Sequence, residues 1–182
     1  MKIFLDTTSD FFALILFNSD FGFVDKQIIK VSKKVELLAD EVEQILQKHK
    51  LNIKNIKDFY LNLGPGYFTG CRISLVYVRT ISQLTKANIW TTNTFALLSF
   101  TKKKEANYYI NSSGLHFFSA KAKQGQLLSQ VSQVLKDNKE VNQIDYEWIC
   151  NNFELITNIF KQETNILSIH PFYAKDPSGV QN

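Results

Sequence analysis

Short apolar segments separated by polar turns make up the first thirty residues. Residues 3–5 are apolar, residues 6–10 are polar, and residues 21–29 alternate weakly between the two classes. Between them, Phe11–Phe17 contains no polar position. Three β-type segments in this arrangement predict an antiparallel meander. Because the second segment is apolar throughout, we expect that strand to be covered on both faces.

A helical period of apolar residues follows the meander. Apolar side chains recur at intervals of three and four from residue 35 to residue 46, and charged residues fill the opposite face. This spacing predicts an amphipathic helix over residues 32–50, with Ser32 as its N-cap.

Strands and helices then alternate up to residue 100. The pattern predicts a strand over residues 58–63, a helix over 71–86, a strand over 88–92 and a short helix over 94–100, capped by Thr92 or Asn93. Helices that alternate with strands after a meander predict a mixed sheet with helices packed on it.

The second half carries weaker patterns. They predict a hairpin between residues 108–110 and 116–120, turning at 111–114, a strand over 127–135, a helix over 154–161, a strand over 166–169 and a frayed tail over 176–182. A boundary between residues 101 and 107 gives an N-terminal subdomain, residues 1–101, and a smaller second subdomain, residues 102–182. Whether the last segment returns to the first subdomain is left open.

Composition indicates a folded protein and argues against nucleic acid as a direct ligand. The chain is 45 % hydrophobic, which supports a real core. Its net charge of +4 comes almost entirely from lysine, since Arg72 and Arg79 are its two arginines. A phosphate-reading surface usually contains several guanidinium groups.

Cysteine usage and hydropathy indicate a reducing, cytoplasmic compartment. Cys71 and Cys150 lie far apart and form no CxxC pair. Asp6 interrupts the first apolar segment too early for a signal peptide, and no apolar run approaches the roughly 20 residues that span a bilayer. We expect no membrane association.

A glycine loop between the strand at 58–63 and the next helix is the strongest local signal. Gly64, Pro65, Gly66, Thr69 and Gly70 form it, and Arg72 follows. Free amides at a helix start can hold an anion. The loop nevertheless lacks the Lys-Ser/Thr pair of a P-loop and the third glycine of a dinucleotide fingerprint. Taken alone, it favours a tight turn that lets the helix pack closely.

A second candidate site is the polar turn Asp6, Thr7 and Thr8. Actin-like ATPases hold a metal-bound phosphate with an acid at the end of their first strand and hydroxyls in the next turn. A polar hairpin turn is the simpler interpretation. No catalytic or metal site is predicted elsewhere, because His49, His116 and His170 are isolated and no Gly-x-Ser-x-Gly elbow occurs.

The helix over 71–86 is apolar on more than one face. Ile73, Tyr77, Ile81 and Leu84 form one stripe, and Leu75 and Val78 extend the apolar surface around the helix. One face can cover the sheet, but a second needs the preceding helix or another protein to cover it.

Several segments resemble the TsaB (YeaZ) family. Residues 61–73, LNLGPGYFTGCRI, resemble its signature GxGPGSFTGxRIG. Residues 3–8 resemble its opening ILAIDTS, residues 88–97 its PLVGVSTLEAL segment, and residues 170–175 its closing EPxYLR, while residues 109–118 stand where it has DARRGEVY. The matches run in order along nearly the whole chain.

The resemblance implies an actin-like (ASKHA, ribonuclease H-like) α/β fold with a degenerate, shortened second half. It also implies a non-catalytic subunit that pairs with the catalytic subunit TsaD, joined by the ATPase TsaE, to make threonylcarbamoyladenosine in tRNA. ATP or ADP and metal would belong to that complex and tRNA would be bound through it. The implied partner contacts on the two long helices are Val35, Leu38, Val42, Ile45, Ile73, Tyr77, Ile81 and Leu84.

Some positions depart from the family pattern and leave alternatives open. Tyr67 replaces a serine, Lys34 or a neighbour stands where a histidine is usual, and residues 111–113 replace Asp, Ala and Arg. The alternatives are a small actin-like kinase or ATPase that uses Asp6, and a tRNA-binding module. A homodimer in the absence of the partner is also left open. A protease finds no nucleophile and base here.

Overall fold

The computed structural model describes residues 1–112 and 114–174, and within these it contains ten strands and four α-helices. In chain order they are β1 (Lys2–Asp6), β2 (Phe11–Phe17), β3 (Phe23–Lys30), α1 (Lys34–Lys48), β4 (Asp58–Asn62), α2 (Phe68–Thr85), β5 (Asn88–Thr92), α3 (Thr94–Ser99), β6 (Ala106–Asn111), β7 (His116–Lys123), β8 (Gln126–Leu127), β9 (Ser132–Leu135), α4 (Tyr146–Ile156) and β10 (Lys161–Glu163). Short 3₁₀ turns at Ile53–Asn55, Thr157–Ile159 and Ile166–Ser168 complete the described elements.

A six-stranded mixed sheet organises the molecule, in the order β10-β5-β4-β1-β2-β3. β1, β2 and β3 pair antiparallel as the predicted meander. β4 pairs parallel to β1, β5 parallel to β4, and β10 closes the edge antiparallel to β5. The expected mixed sheet with flanking helices is therefore confirmed.

Both faces of the central strands are buried, as the unbroken apolar run of β2 predicts. Along β2, Phe12, Leu14 and Leu16 face the core beneath α1 and α2. The alternate residues Ala13, Ile15 and Phe17 face the core beneath α4. The sheet is therefore the middle layer between the α1–α2 pair and α4.

A smaller antiparallel sheet lies beyond α3. β7 pairs with β6, β8 and β9, so the predicted hairpin of residues 108–110 and 116–120 is confirmed. α3 contributes Phe95 and Leu98 to the core under this sheet. Asn93 caps α3 by accepting from the Ala96 amide at 2.9 Å, one of the two predicted caps.

The predicted starts of three helices are wrong, and α2 begins at Phe68 rather than at residue 71. α1 begins one residue later than a Ser32 cap would allow, because Lys33 is its N-cap and provides no side-chain hydrogen bond. The helix predicted over 154–161 instead runs over Tyr146–Ile156. Asp145 starts it by accepting from the Trp148 amide at 2.9 Å, and residues 161–163 form β10.

Two predicted strands are also corrected. The segment 127–135 is split into β8 and β9, since both pair with different parts of β7. Instead of the strand predicted over 166–169, Ile166–Ser168 form a 3₁₀ turn, because the Asn165 side chain accepts from the Leu167 amide and starts a turn. The frayed tail predicted at 176–182 lies outside the described residues.

Residues 145–163 pack on the first sheet, since α4 covers one face of that sheet and β10 extends its edge. Ala174 packs against the core of the second sheet. The division into subdomains at residue 101 stays a prediction. Among the described helices, none is long and apolar enough to cross a bilayer.

Phe153 is expected to be a main source of stability on the α4 side. Its ring is buried and lies 4.4 Å from the Phe17 ring centroid and 5.0 Å from that of Tyr60. Phe153→Ala should lower the free energy of unfolding in urea by about 3–5 kcal/mol, through lost burial and the cavity left behind.

Leu155→Ala is the matched control on the same helix, because Leu155 is 61 % exposed. It should change the free energy of unfolding by about 0.5 kcal/mol or less. Equal losses for the two variants would show that α4 does not pack on the sheet as described.

Candidate functional site

The polar turn after β1 surrounds a fully buried carboxylate. Asp6 Oδ1 accepts from the Thr8 amide and the Thr8 hydroxyl, both at 2.8 Å. Asp6 Oδ2 accepts from Asn62 Nδ2 at 2.9 Å and from the Tyr146 hydroxyl at 3.0 Å. Four donors from three parts of the chain therefore satisfy both oxygens of this side chain.

Asn62 and Thr94 continue the network toward the glycine loop. Asn62 ends β4, and its Oδ1 accepts from the Gly64 amide at 3.0 Å. Thr94 begins α3, and its hydroxyl donates to the Pro65 carbonyl at 2.8 Å while lying 3.1 Å from Asn62 Nδ2. Both side chains are buried. The polar residues at the ends of β1 and β4 and at the start of α3 therefore hold the loop's first turn in place.

Tyr146 closes the network from α4. Burial, followed by the nearby Asp6 charge, raises the pKa of Tyr146 well above its usual range. The phenol therefore stays protonated at neutral pH and donates to the carboxylate. Asn62, Thr94 and Tyr146 were not predicted from the sequence. A polar residue at the end of an otherwise apolar strand is the signal that points to Asn62.

The glycine loop packs directly on the turn after β1. The Tyr67 amide donates to the Thr8 carbonyl at 2.7 Å, and the Thr7 hydroxyl donates to the Gly70 carbonyl at 2.6 Å. A Cβ at Gly66 would lie within 3.0 Å of the Thr8 carbonyl oxygen, and one at Gly70 within 3.0 Å of the Thr7 carbonyl oxygen. The two glycines thus permit close backbone approach, as the tight-turn interpretation requires.

A metal-bound phosphate does not fit at Asp6. Both carboxylate oxygens already accept two hydrogen bonds each, and the side chain has no exposed surface. Gly66 and Gly70 face carbonyl oxygens of the turn, where a phosphate would be repelled. The kinase or ATPase alternative that uses Asp6 is therefore not favoured.

The remaining residues of the predicted anion site face elsewhere. Arg72 lies over the Phe68 ring, 3.8 Å from its centroid, and its Nε donates to the Tyr173 hydroxyl at 2.6 Å. Thr69 is exposed in the first turn of α2. In the structure, the Asp6 turn therefore packs on the loop glycines, whereas the Arg72 side chain packs against the rings of Phe68 and Tyr173.

Neither cysteine has the character of a nucleophile. Burial raises the pKa of Cys71 to about 12 and that of Cys150 to about 11. Such thiols carry almost no thiolate at neutral pH. Across residues 1–112 and 114–174, no group of three or more His, Cys, Asp or Glu side chains is placed to hold a metal ion.

The predicted partner contacts divide into two groups. Leu38, Val42 and Ile45 are buried in the core between α1 and the sheet, so their assignment to a partner surface is wrong. Their i, i+4, i+7 spacing reflects packing inside the chain.

The other predicted contacts remain accessible in part. Val35 and Leu84 are exposed, and Ile73, Tyr77 and Ile81 are half-buried. Val76, which was not among the predicted contacts, is 59 % exposed on the same side of α2. Since residues 73, 76, 77 and 84 recur at helical spacing, they form one stripe.

Gly70→Ala should test the close packing of the loop on the turn. The added methyl group would collide with the Thr7 carbonyl, so the start of α2 must move. We expect a loss of about 2–4 kcal/mol in the free energy of unfolding, as for other overpacked sites with a disturbed hydrogen bond. Thr69→Ala, an exposed change in the same turn, should stay within about 0.5 kcal/mol of the unmodified chain. Similar stability for both variants would show that the loop does not rest on Thr7.

The chain was compared with known proteins. No family model matches it. It is 27 % identical to the protein named "Uncharacterized protein MG208" of Mycoplasma genitalium, over 97 % of this chain and 95 % of that protein. It is 31 % identical to the MG208 homolog of Mycoplasma pneumoniae, over 43 % of this chain and 41 % of that one.

Similarity to solved structures shows which fold the chain has. YeaZ from Pseudomonas aeruginosa superimposes with a TM-score of 0.61 at 14 % identity, over 78 % of this chain and 71 % of that chain. A second structure, described as similar to the peptidase YeaZ from Pseudomonas aeruginosa, also gives 0.61, at 16 % identity over 77 % and 68 %. The chain therefore has a mixed α/β fold like that of YeaZ, with helices on a mixed sheet.

Proposed function

We propose that this chain is a non-catalytic scaffold subunit of the TsaB kind. It would pair with a TsaD-like catalytic subunit in threonylcarbamoyl transfer to adenosine of tRNA. The observation that carries the proposal is a partly exposed apolar stripe on α2, in a YeaZ-like fold whose Asp6 corner is filled by protein. The glycine-loop signature of residues 61–73 supports the same assignment.

The proposed docking face consists of six of the apolar side chains that α1 and α2 leave exposed or half-exposed: Val35, Ile73, Val76, Tyr77, Ile81 and Leu84. Single exposed apolar residues are common on any protein. Here five of the six follow one side of an 18-residue helix, with Leu84 76 % exposed. An aligned stripe of this kind is typical of a surface that packs on another helix.

The buried Asp6 network supports assigning nucleotide and metal to the complex rather than to this chain alone. A TsaD-like subunit would supply the catalytic site, and a TsaE-like ATPase would join the pair. Transfer RNA would be bound through the assembled complex, since a chain with two arginines has little guanidinium to offer phosphates. The complex would act in the cytoplasm.

Val76→Glu tests the docking face. Val76 is exposed, so the variant should fold with a free energy of unfolding within about 0.5 kcal/mol of the unmodified chain. In the complex, the new carboxylate would be buried without a partner at a cost of more than about 2 kcal/mol, which weakens binding at least about 30-fold. The measurement is calorimetric titration with the TsaD-like protein of the same organism.

Leu155→Glu is the matched control, because it places the same charge on an exposed leucine on the opposite side of the sheet. It should bind as tightly as the unmodified chain. Unchanged affinity for both Val76→Glu and Leu84→Glu would exclude this face as the contact. Equal loss for the α4 control would indicate an effect of charge alone.

A further inference from the structure

A pocket of about 750 Å³ opens between the first turns of α1 and α2. Lys30, the segment 31–35, Asp10, Tyr67–Gly70 and Ile73 line it. It lies on the outer side of the glycine loop, away from the filled corner at Asp6. Its volume is within the range of pockets that hold small molecules.

The two longest helices of the described residues both point their N-terminal ends into this pocket. α1 has 15 residues and α2 has 18, and neither N-cap, Lys33 or Tyr67, makes a side-chain capping hydrogen bond. The first backbone amides of a helix have no partner within it. Two partial positive charges and two sets of free N–H donors therefore meet at one place, which favours an anion.

Lys34 provides a second, independent observation that points to an anion at this place. Its side chain is 6 % exposed, and within residues 1–112 and 114–174 its ammonium makes no hydrogen bond or ion pair. Its Nζ lies 5.7 Å from the centroid of the Tyr67 ring. Burial lowers the pKa of Lys34, while the charges of Asp10 and Asp6 raise it. Lysine residues this largely buried are usually paired with an anion.

The charged side chains that line the pocket favour the binding of a doubly charged anion. Lys30, Lys33 and Lys34 face it, and Asp10 is the acidic residue among its lining side chains. Asp10 is engaged elsewhere, since its Oδ1 accepts from the Tyr67 hydroxyl at 2.8 Å and its Oδ2 from Asn111 Nδ2 at 3.4 Å. Three lysines and two helix ends against one occupied carboxylate leave a net positive site.

We propose that this pocket binds the phosphate group of a small molecule, with the Lys34 ammonium and the first-turn amides of α2 as its donors. The site does not depend on the partner subunit proposed above, and the inference stands or falls separately from it. Phe68, exposed at the rim, gives the organic part of a phosphate ester an apolar surface to contact.

The experiment is calorimetric titration of the isolated chain with inorganic phosphate and with ribose 5-phosphate, at fixed ionic strength. Lys34→Met keeps the length and apolar contacts of the side chain and removes its charge. Loss of a charged hydrogen bond predicts affinity reduced by roughly tenfold or more for both probes. Lys54→Met, an exposed change on the 3₁₀ turn before β4, should bind as the unmodified chain does.

The melting temperature checks that Lys34→Met folds, and removal of an unpaired buried charge should leave it unchanged or raise it. If this variant does not fold, Lys33→Glu at the exposed rim takes its place, and it should weaken the binding of both probes. Tighter binding of ribose 5-phosphate than of phosphate would identify an organic phosphate ester as the ligand, and equal binding the free ion. No binding of either probe, or full binding by Lys34→Met, would overturn the proposal.

Discussion

The need to satisfy one buried carboxylate organises this molecule. Asp6 has no exposed surface, and a buried carboxylate without donors costs several kcal/mol. Its donors come from its own turn, from Asn62 at the end of β4 and from Tyr146 at the start of α4. The same hydrogen bonds therefore join the meander, the parallel part of the sheet and a helix that lies 140 residues later in the chain. Shifting any one of these elements would leave a buried polar group unpaired.

Because protein groups fill the corner around Asp6, the accessible features of the chain lie on its outer surface. With the glycine loop resting on the carbonyls of Thr7 and Thr8, α2 starts close to the sheet and buries its inner side, including Leu75 and Val78. Its outer side then keeps the apolar stripe, and its N-terminal end meets that of α1 around Lys34. The accessible features that remain are the apolar stripe on α2 and the positively charged pocket around Lys34.

Much of the fold follows from local patterns, and the site only in part. The apolar run of β2 and the cap at Asn93 are local signals, and both predictions are confirmed. The apolar spacing of α1 predicts the helix but cannot tell whether Val42 faces the sheet or a partner, and in the structure it is 1 % exposed. The link between Asp6 and Tyr146 could not be predicted, because no spacing rule connects a turn to a helix start so far along the chain. The start of α4 was missed for a related reason, since Asp145 caps a helix whose buried residues face a distant sheet.

A double-mutant cycle between Asp6 and Tyr146 tests the central claim most directly. The free energy of unfolding of Asp6→Asn, Tyr146→Phe and the double variant would be measured by urea denaturation. If the two side chains share the buried hydrogen bond seen here, the double variant should lose less stability than the sum of the single ones, with a coupling of about 1–2 kcal/mol. Additive losses, with a coupling below about 0.3 kcal/mol, would show that Asp6 does not tie α4 to the sheet and would contradict the account.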